Sequence, residues 1–386
     1  MNILVVNYRD RMHPAAGGAE KHLHRIFSQI AEAGHKVVLL TTAFAGCKAR
    51  ETVDGIEVVR KGGDLLFQLT VAMNIRKLDR EFNFDVVVED LNKLPLFTPF
   101  LTKKPVVVQM HHLWRSSIFH EASFPIAFMV WAFERVIPWF YRKQPFVVVS
   151  PSTKYELEEI GIDEDRISVI YNGSDEAHEA ADVVPSQVEK SEEVPSTPYF
   201  LWLSRVHRYK GIWTALEAFE EFAENENHPD VKLVVAGDGP LLKKIPAWLK
   251  ERGLTERVDL LGFVTPSKKR ALLQNAVALL QTSYKEGWGL TVVEAARLGT
   301  TTIASDVPGL RDSVRNGETG LLFPVGDFHT CASEMDRLYS DDDLRTRLSA
   351  AAKSYAGEFR WDIAAEKTLD LLQDAVIERQ VGGGNE

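Results

Sequence analysis

Short runs of Val, Ile and Leu that do not alternate with polar residues limit the fold more than any other feature of this chain. Ile3 to Val6, Val37 to Leu40, Val86 to Val88, Val106 to Val108 and Val147 to Val149 are of this kind. A strand that is apolar on both faces must be covered on both, which is the condition of a parallel sheet between helices. The first intervening helix follows Gly17-Gly18, with Leu23, Ile26, Phe27 and Ile30 at helical spacing. The pattern breaks in a stretch rich in Glu, Ser, Val and Pro, then restarts. Tyr199 to Leu203, Leu233 to Ala236, Val258 to Leu261, Val277 to Leu280 and Thr301 to Ala304 read as further strands. Helices fit Gly211 to Glu224, Leu241 to Arg252, Leu290 to Leu298, Phe328 to Leu338 and Ile363 to Ile377. The expected class is α/β, with two doubly wound, Rossmann-like parallel-sheet domains. A chain of 386 residues is too long for one core. The division falls at 1–178, a linker or surface loop over 179–198, a second domain over 199–361, a helix over about 362–380 and a disordered tail over 381–386.

Composition removes several function classes. A net charge of −10 argues against nucleic-acid binding, which needs a basic face. Cys47 and Cys331 are too far apart in sequence to form a metal-type pair, and ordinary apolar packing in a reducing cytosol fits them. The opening residues lack a basic leader, and no segment approaches the roughly 20 apolar residues that span a bilayer. The expected location is cytoplasmic.

Glu286 and Glu294 bracket a glycine-bearing loop that runs into a helix: Glu286-Gly287-Trp288-Gly289-Leu290-Thr291-Val292-Val293-Glu294. Free N–H groups at the start of that helix suit a phosphate. Carboxylates on either side would repel the phosphate, but they suit hydroxyls. The ligand this describes has phosphate in the middle and hydroxyl-bearing rings at both ends, as a nucleotide sugar does. Solvated acids on an ordinary strand-loop-helix are the alternative. Arg205 ends a strand and Lys210 precedes a helix, so the two cations can converge on one diphosphate and stabilise it as it leaves. Gly17-Gly18-Ala19-Glu20 opens the first helix, where glycines admit a phosphate or sugar close to the backbone. Gly237-Asp238-Gly239 lacks the third glycine of a dinucleotide fingerprint, because Leu242 stands there, so a nicotinamide cofactor is rejected. Either a tight turn or a ligand-lining role accounts for Gly237 and Gly239.

In this order and spacing the motifs resemble the retaining GT-B glycosyltransferases of family four across essentially the whole chain. They comprise Gly17-Gly18-Ala19-Glu20, Asn172-Gly173-Ser174-Asp175, Arg205 with Lys210-Gly211, Gly237-Asp238-Gly239-Pro240, Leu261-Gly262-Phe263 and the Glu286/Glu294 pair. The resemblance implies two Rossmann-like domains facing across a cleft, an N-terminal acceptor side and a C-terminal donor side. It also implies a last helix that packs back on the first domain. Arg205 and Lys210 would bind the donor diphosphate, and Glu294 the ribose hydroxyls. Glu286 and the amides of Gly287, Trp288, Gly289 and Leu290 would hold sugar and phosphate, with Gly17 and Gly18 also toward the donor and Val264 near the base. The family often places a histidine after a strand of the first domain, close to the anomeric carbon. Here Gln109-Met110-His111-His112 occupies that place, and His111 is preferred over His112. Glu89-Asp90-Leu91-Asn92-Lys93 either lines the acceptor cleft or is solvated surface.

The expected activity is transfer of a hexosyl group, with retention, from a nucleotide diphosphate sugar to a saccharide or lipid-linked acceptor. No cofactor or metal is expected, because the cations do a metal's work. A nucleotide-sugar epimerase and a non-catalytic nucleotide-sugar-binding subunit are the alternatives. Residues 115–143 are rich in aromatics and end in Arg142-Lys143. They read either as a membrane-facing surface, which would put the protein at the inner face of the membrane, or as a helix packed into the core. Asp341-Asp342-Asp343 reads as an exposed helix start rather than a metal signature.

Overall fold

The computed structural model describes residues 1–92, 94–174, 194–225 and 228–382. The chain forms two compact units. One comprises Met1–Ile118, Ser123–Gly173 and Arg360–Glu386, and the other comprises Phe119–Ala122 and Ser174–Phe359. The first therefore ends at 173 rather than 178, and the short segment Phe119–Ala122 groups with the second. The expected linker lies mostly outside the described residues, as do Asp175 and Lys93 of the quoted motifs.

The first unit holds an eight-stranded sheet. Its strands are β1 (Asn2–Val6), β2 (Lys36–Thr41), β3 (Arg50–Val53), β4 (Ile56–Arg60), β5 (Val86–Asp90), β6 (Val106–Met110), β7 (Phe146–Val148) and β8 (Ile167–Val169). Their order is β3-β4-β2-β1-β5-β6-β7-β8. All neighbours are parallel except β3 and β4, an antiparallel hairpin whose register pairs Val53 with Ile56. The second unit holds β9 (Tyr199–Leu203), β10 (Lys232–Ala236), β11 (Val258–Gly262), β12 (Ala278–Gln281), β13 (Thr302–Ser305) and β14 (Gly320–Phe323). These are all parallel, in the order β11-β10-β9-β12-β13-β14.

Numbered within its own unit, the second sheet has the doubly wound order 3-2-1-4-5-6, and the first extends that order at both edges. Burial explains the run composition. Phe200 and Trp202 enter one apolar cluster with Leu216, Phe219 and Leu280. Their neighbours Tyr199, Leu201 and Leu203 enter another with Leu272, Val292 and Ala295. Alternate residues of β9 thus fill cores on opposite faces, so no position could be polar without burying an unpaired group.

Four strands, β3, β4, β8 and β14, are not uniform apolar runs, and the sequence pattern does not announce them. The β3–β4 pair carries Arg50, Glu51, Glu57 and Arg60. Strands β8 and β14 are short, with Ser168 and Gly320 in them. The helix Asp342–Ala356 begins at the exposed Asp341-Asp342-Asp343 run read as a helix start, and Asp341 opens it by accepting from Leu344 N at 2.8 Å. The last helix, Trp361–Gly382, belongs to the first unit and packs on the first helix, Gly18–Glu32. It runs past the expected end at 380, so residues 381 and 382 are helical.

Candidate functional site

In a doubly wound sheet the ligand crevice lies beyond the carboxyl ends of the strands where the order reverses. In the second unit that point lies between β9 and β12. The loops leaving these strands carry the Arg205–Lys210 and Glu286–Gly289 segments, and they are locked together. Trp202 is fully buried and donates from Nε1 to Thr282 Oγ1 at 3.1 Å. Thr282 Oγ1 donates in turn to Gly211 O at 2.7 Å. A Cβ at Gly211 would stand 1.9 Å from the Thr282 carbonyl, and the residue has φ +67°, so glycine is required where the two loops meet.

That contact delivers Lys210 to Glu286. Its ammonium pairs with Glu286 Oε1, and both side chains are 13% exposed. The same oxygen accepts from Gln281 Nε2 and Ser283 Oγ, each at 2.9 Å. Glu286 is therefore held by a charge and two neutral donors. Arg205 is exposed and donates from Nη2 to Tyr209 Oη at 2.7 Å, while the Lys210 ammonium lies 5.0 Å from the Tyr209 ring centroid. Both expected phosphate cations are thus gathered on one buried tyrosine.

The helix Leu290–Arg297 begins at Gly289, whose φ of +83° turns the chain into it with no side chain capping the first turn. Glu294 sits on this helix, 2.5 Å from the ammonium of Lys269. Lys269 was not singled out from the sequence, although the run Lys268-Lys269-Arg270, one residue after Val264-Thr265-Pro266, was a visible signal. Val264 is half-buried and packs on the cluster that includes Leu201 and Val234. The Trp288 side chain is not at the loop surface. It is 2% exposed and lies edge-on to Phe359 at 4.9 Å, which leaves only its backbone for a ligand. Gly237 is explained by packing, since a Cβ there would meet the Ser204 carbonyl at 1.8 Å.

In the first unit the order reverses between β1 and β5. Asn92 Nδ2, beyond β5, donates to Asn7 Oδ1, beyond β1, at 2.8 Å and joins the two exits. Gly17 precedes the first helix in extended backbone, and Gly18 opens it. The Gly17 N–H is already engaged with Glu20 Oε2 at 2.6 Å. Burial raises the pKa of Glu20. An anion would meet this carboxylate, so the glycines suit a close sugar better than a phosphate.

His111 follows β6, and its Nε2 is 3.4 Å from both carboxylate oxygens of Asp90, the last residue of β5. Both are buried. Burial pulls the pKa of His111 down, but Asp90, and more weakly Glu20, push it up, and the net shift is upward. His112 is half-buried and packs on Trp114 at 5.0 Å. The two histidines thus differ in surroundings: His111 has a carboxylate partner, His112 an aromatic one. His22, on the first helix, also stands against His111, with ring centroids 4.8 Å apart and planes at 89°.

Neither reading of Glu89 holds. It is fully buried and accepts from Leu96 N, Thr98 N, Thr98 Oγ1 and Tyr141 Oη at 2.6–3.0 Å. It therefore builds a turn and neither faces solvent nor lines a cleft. Tyr141 belongs to the helix Phe124–Tyr141, which divides the aromatic segment by face. Val130, Ile137 and Tyr141 are buried, while Phe124, Phe128 and Trp139 are 71%, 51% and 81% exposed. Among the described residues no group of three or more His, Cys, Asp and Glu could hold a metal ion, and no helix is long and apolar enough to cross a membrane.

Two family models match the chain: Glycosyltransferase Family 4 over residues 16–178 and Glycosyl transferases group 1 over residues 184–355. The chain is 30% identical to a D-inositol 3-phosphate glycosyltransferase of Corynebacterium diphtheriae over 186 residues, 47% of this chain and 43% of that one. The match thus spans less than half of that relative's length. It is 26% identical to a glycogen synthase of Mycobacterium tuberculosis, covering 96% of this chain and 94% of that one. The structure superposes on Anabaena Alr3699/HepE, solved in complex with UDP and glucose, with a TM-score of 0.73 at 19% identity, covering 97% and 100% of the two chains. With one model on each half and a reversing parallel sheet in each unit, the chain belongs to the family four glycosyltransferases of the GT-B fold.

Proposed function

We propose that this glycosyltransferase moves a hexosyl group from a nucleotide diphosphate sugar to an acceptor hydroxyl, with retention at the anomeric carbon and without a metal ion. The observation that carries the reading is the Lys210–Glu286 pair, held at the carboxyl ends of β9 and β12 where that sheet reverses. Each partner has a ligand counterpart. A diphosphate takes the Lys210 ammonium, with Arg205 and the amides ahead of Leu290 as further donors. Glu286 then accepts from sugar hydroxyls, and Glu294 exchanges Lys269 for ribose hydroxyls in the same way. The bond from the anomeric carbon to the diphosphate oxygen breaks with its electron pair leaving on phosphate, where the cations stabilise it. The acceptor oxygen bonds that carbon on the same face, and its proton passes to the departing phosphate oxygen. His111, made more basic by Asp90, is the first unit's candidate catalytic group. The UDP and glucose bound by the Anabaena protein support a nucleotide-sugar donor.

The setting we propose is polysaccharide or glycolipid assembly at the cytoplasmic face of a membrane. The exposed Phe124, Phe128 and Trp139, next to Arg142 and Lys143, form the contact surface. An epimerase or a non-catalytic subunit is not favoured, because both matched families are transferases and all four ionic site residues are in place. The test is release of nucleoside diphosphate from uridine, guanosine and adenosine diphosphate sugars, with and without lipid-linked saccharide. Acceptor-dependent release is expected with one base. Conversion of the nucleotide sugar without an acceptor would overturn the transfer reading. Flotation with anionic vesicles, abolished by Trp139→Ser with Phe124→Ser, checks the contact surface.

A further inference from the structure

The Asn172-Gly173 motif and another buried histidine, His22, take no part in the transfer described above, yet they meet. His22 Nδ1 hydrogen-bonds to Asn172 Oδ1, and the His22 ring lies edge-on to both His111 at 4.8 Å and Trp361 at 6.1 Å. Asn172 is at the end of the first pass of the chain through this unit, and Trp361 is at the start of its return. The two passes are in tight contact there. A Cβ on Gly173 would stand 2.3 Å from the Trp361 backbone nitrogen, so only glycine lets them close. His22 is thus wedged between this junction and the ring of His111.

We infer that His22 is a positioning residue for His111, fixing the imidazole between itself and Asp90 and tying its pose to the junction of Asn172 and Trp361. This rests on the reading of His111 given above. The groups facing the two rings are Asp90 at the end of β5, Glu20 on the first helix, Gln109 on β6, Asn172 and Trp361. With Asn172 Oδ1 as acceptor, His22 Nδ1 carries a proton and the ring is in a fixed tautomer. Burial, and then the neighbouring His111, hold the His22 pKa down to about 3, so His22 stays neutral while His111 takes the charge that Asp90 favours. Two cationic rings in this contact would repel each other.

The experiment compares the full chain with His22→Phe, His22→Gln, Asn172→Ala and His111→Ala, measuring kcat, donor KM, melting temperature and the pH profile of kcat/KM. His22→Phe keeps the ring contact and loses the hydrogen bond. It is expected to lower kcat at least tenfold with donor KM within threefold, and to move the limb belonging to His111 toward acid. His22→Gln, whose amide can still bond Asn172, is expected to recover part of the rate, and Asn172→Ala to resemble His22→Phe. A His22→Phe variant within twofold of wild type in kcat, beside an inactive His111→Ala, overturns the positioning role alone. So does a loss of rate that follows loss of folded protein with the pH limb unmoved. An active His111→Ala removes the role of His111 itself, and this inference with it.

Discussion

The two units share a sheet topology but hold their polar groups in opposite ways. In the first, the groups at the strand ends are buried and built into the fold. Asp10 and Arg60 form a fully buried bidentate pair, at 2.6 and 3.0 Å. His22, His111, Asp90 and Glu89 are likewise enclosed. In the second, the corresponding groups are ion pairs that keep some exposure: Lys210 with Glu286, and Lys269 with Glu294. A buried pair is costly to break, because the remaining charge has lost its water. A partly wetted pair exchanges partners at little cost. The difference fits the proposed transfer, in which the first unit would present a prebuilt surface and the second would trade internal ion pairs for the charges and hydroxyls of a donor.

Four outcomes would sharpen or break that contrast. The largest is expected at Asp10. Asp10→Ala leaves the Arg60 guanidinium with only the Glu51 carboxylate and the Lys48 carbonyl, and should destabilise the protein by about 3–5 kcal/mol in urea unfolding. A change below about 1 kcal/mol would mean that the first unit is no more prebuilt than the second.

Acid comes next. The pKa of His22 is depressed in the folded chain, from an ordinary 6.5 to about 3, so the unfolded chain binds the extra proton first. The stability this neutral ring confers is complete above pH 6.5 and is lost as pH falls toward 3. From 6.5 to 5 the loss is about 2 kcal/mol. His111 is shifted upward and acts in the opposite sense, its contribution being complete below 6.5 and lost as pH rises through its folded value. Melting curves at pH 7 and 5 should therefore show a smaller acid loss in His22→Phe than in wild type. An equal loss would show that His22 protonates freely.

In the second unit the cost should appear in activity. Lys210→Ala and Glu294→Ala should each lower kcat/KM at least tenfold, about 1.4 kcal/mol of transition-state stabilisation, with melting temperatures changed little. Wild-type rates in both variants would refute the site. The smallest effect is expected at the exposed Arg311–Asp306 pair, 2.9 Å apart with both side chains about half exposed. Arg311→Ala should cost roughly 0–1 kcal/mol in unfolding. A larger loss would show that wetted pairs in this unit also carry its stability.

Where burial was uniform along a segment, it could be read directly. Tyr199–Leu203 is apolar throughout because both faces of β9 are covered, and any chain folding this way needs such a run. The acids of the Glu286–Glu294 segment were visible because the glycines that shape their loop adjoin them in sequence. Glu89 was misread because its four donors come from residues 96, 98 and 141, and nothing beside it announces them. For Trp288 the sequence reading concerned only the backbone amide; the ring turns inward to Phe359, 71 residues further along the chain, a partner that nothing beside it announces.

What the sequence determined by itself was periodicity and local shape: which runs are strands, where glycines permit a loop, and which acids and cations stand at helix starts. Those properties depend on a few neighbouring residues and the backbone geometry they allow. Only the tertiary structure decided pairing: Arg60 with Asp10, Lys269 with Glu294, His22 with His111 and Asn172. The energy of a charge or an imidazole is set by whatever surrounds it in space. In this fold those surroundings come from residues from 21 to 150 positions away, brought near only when the sheet closes.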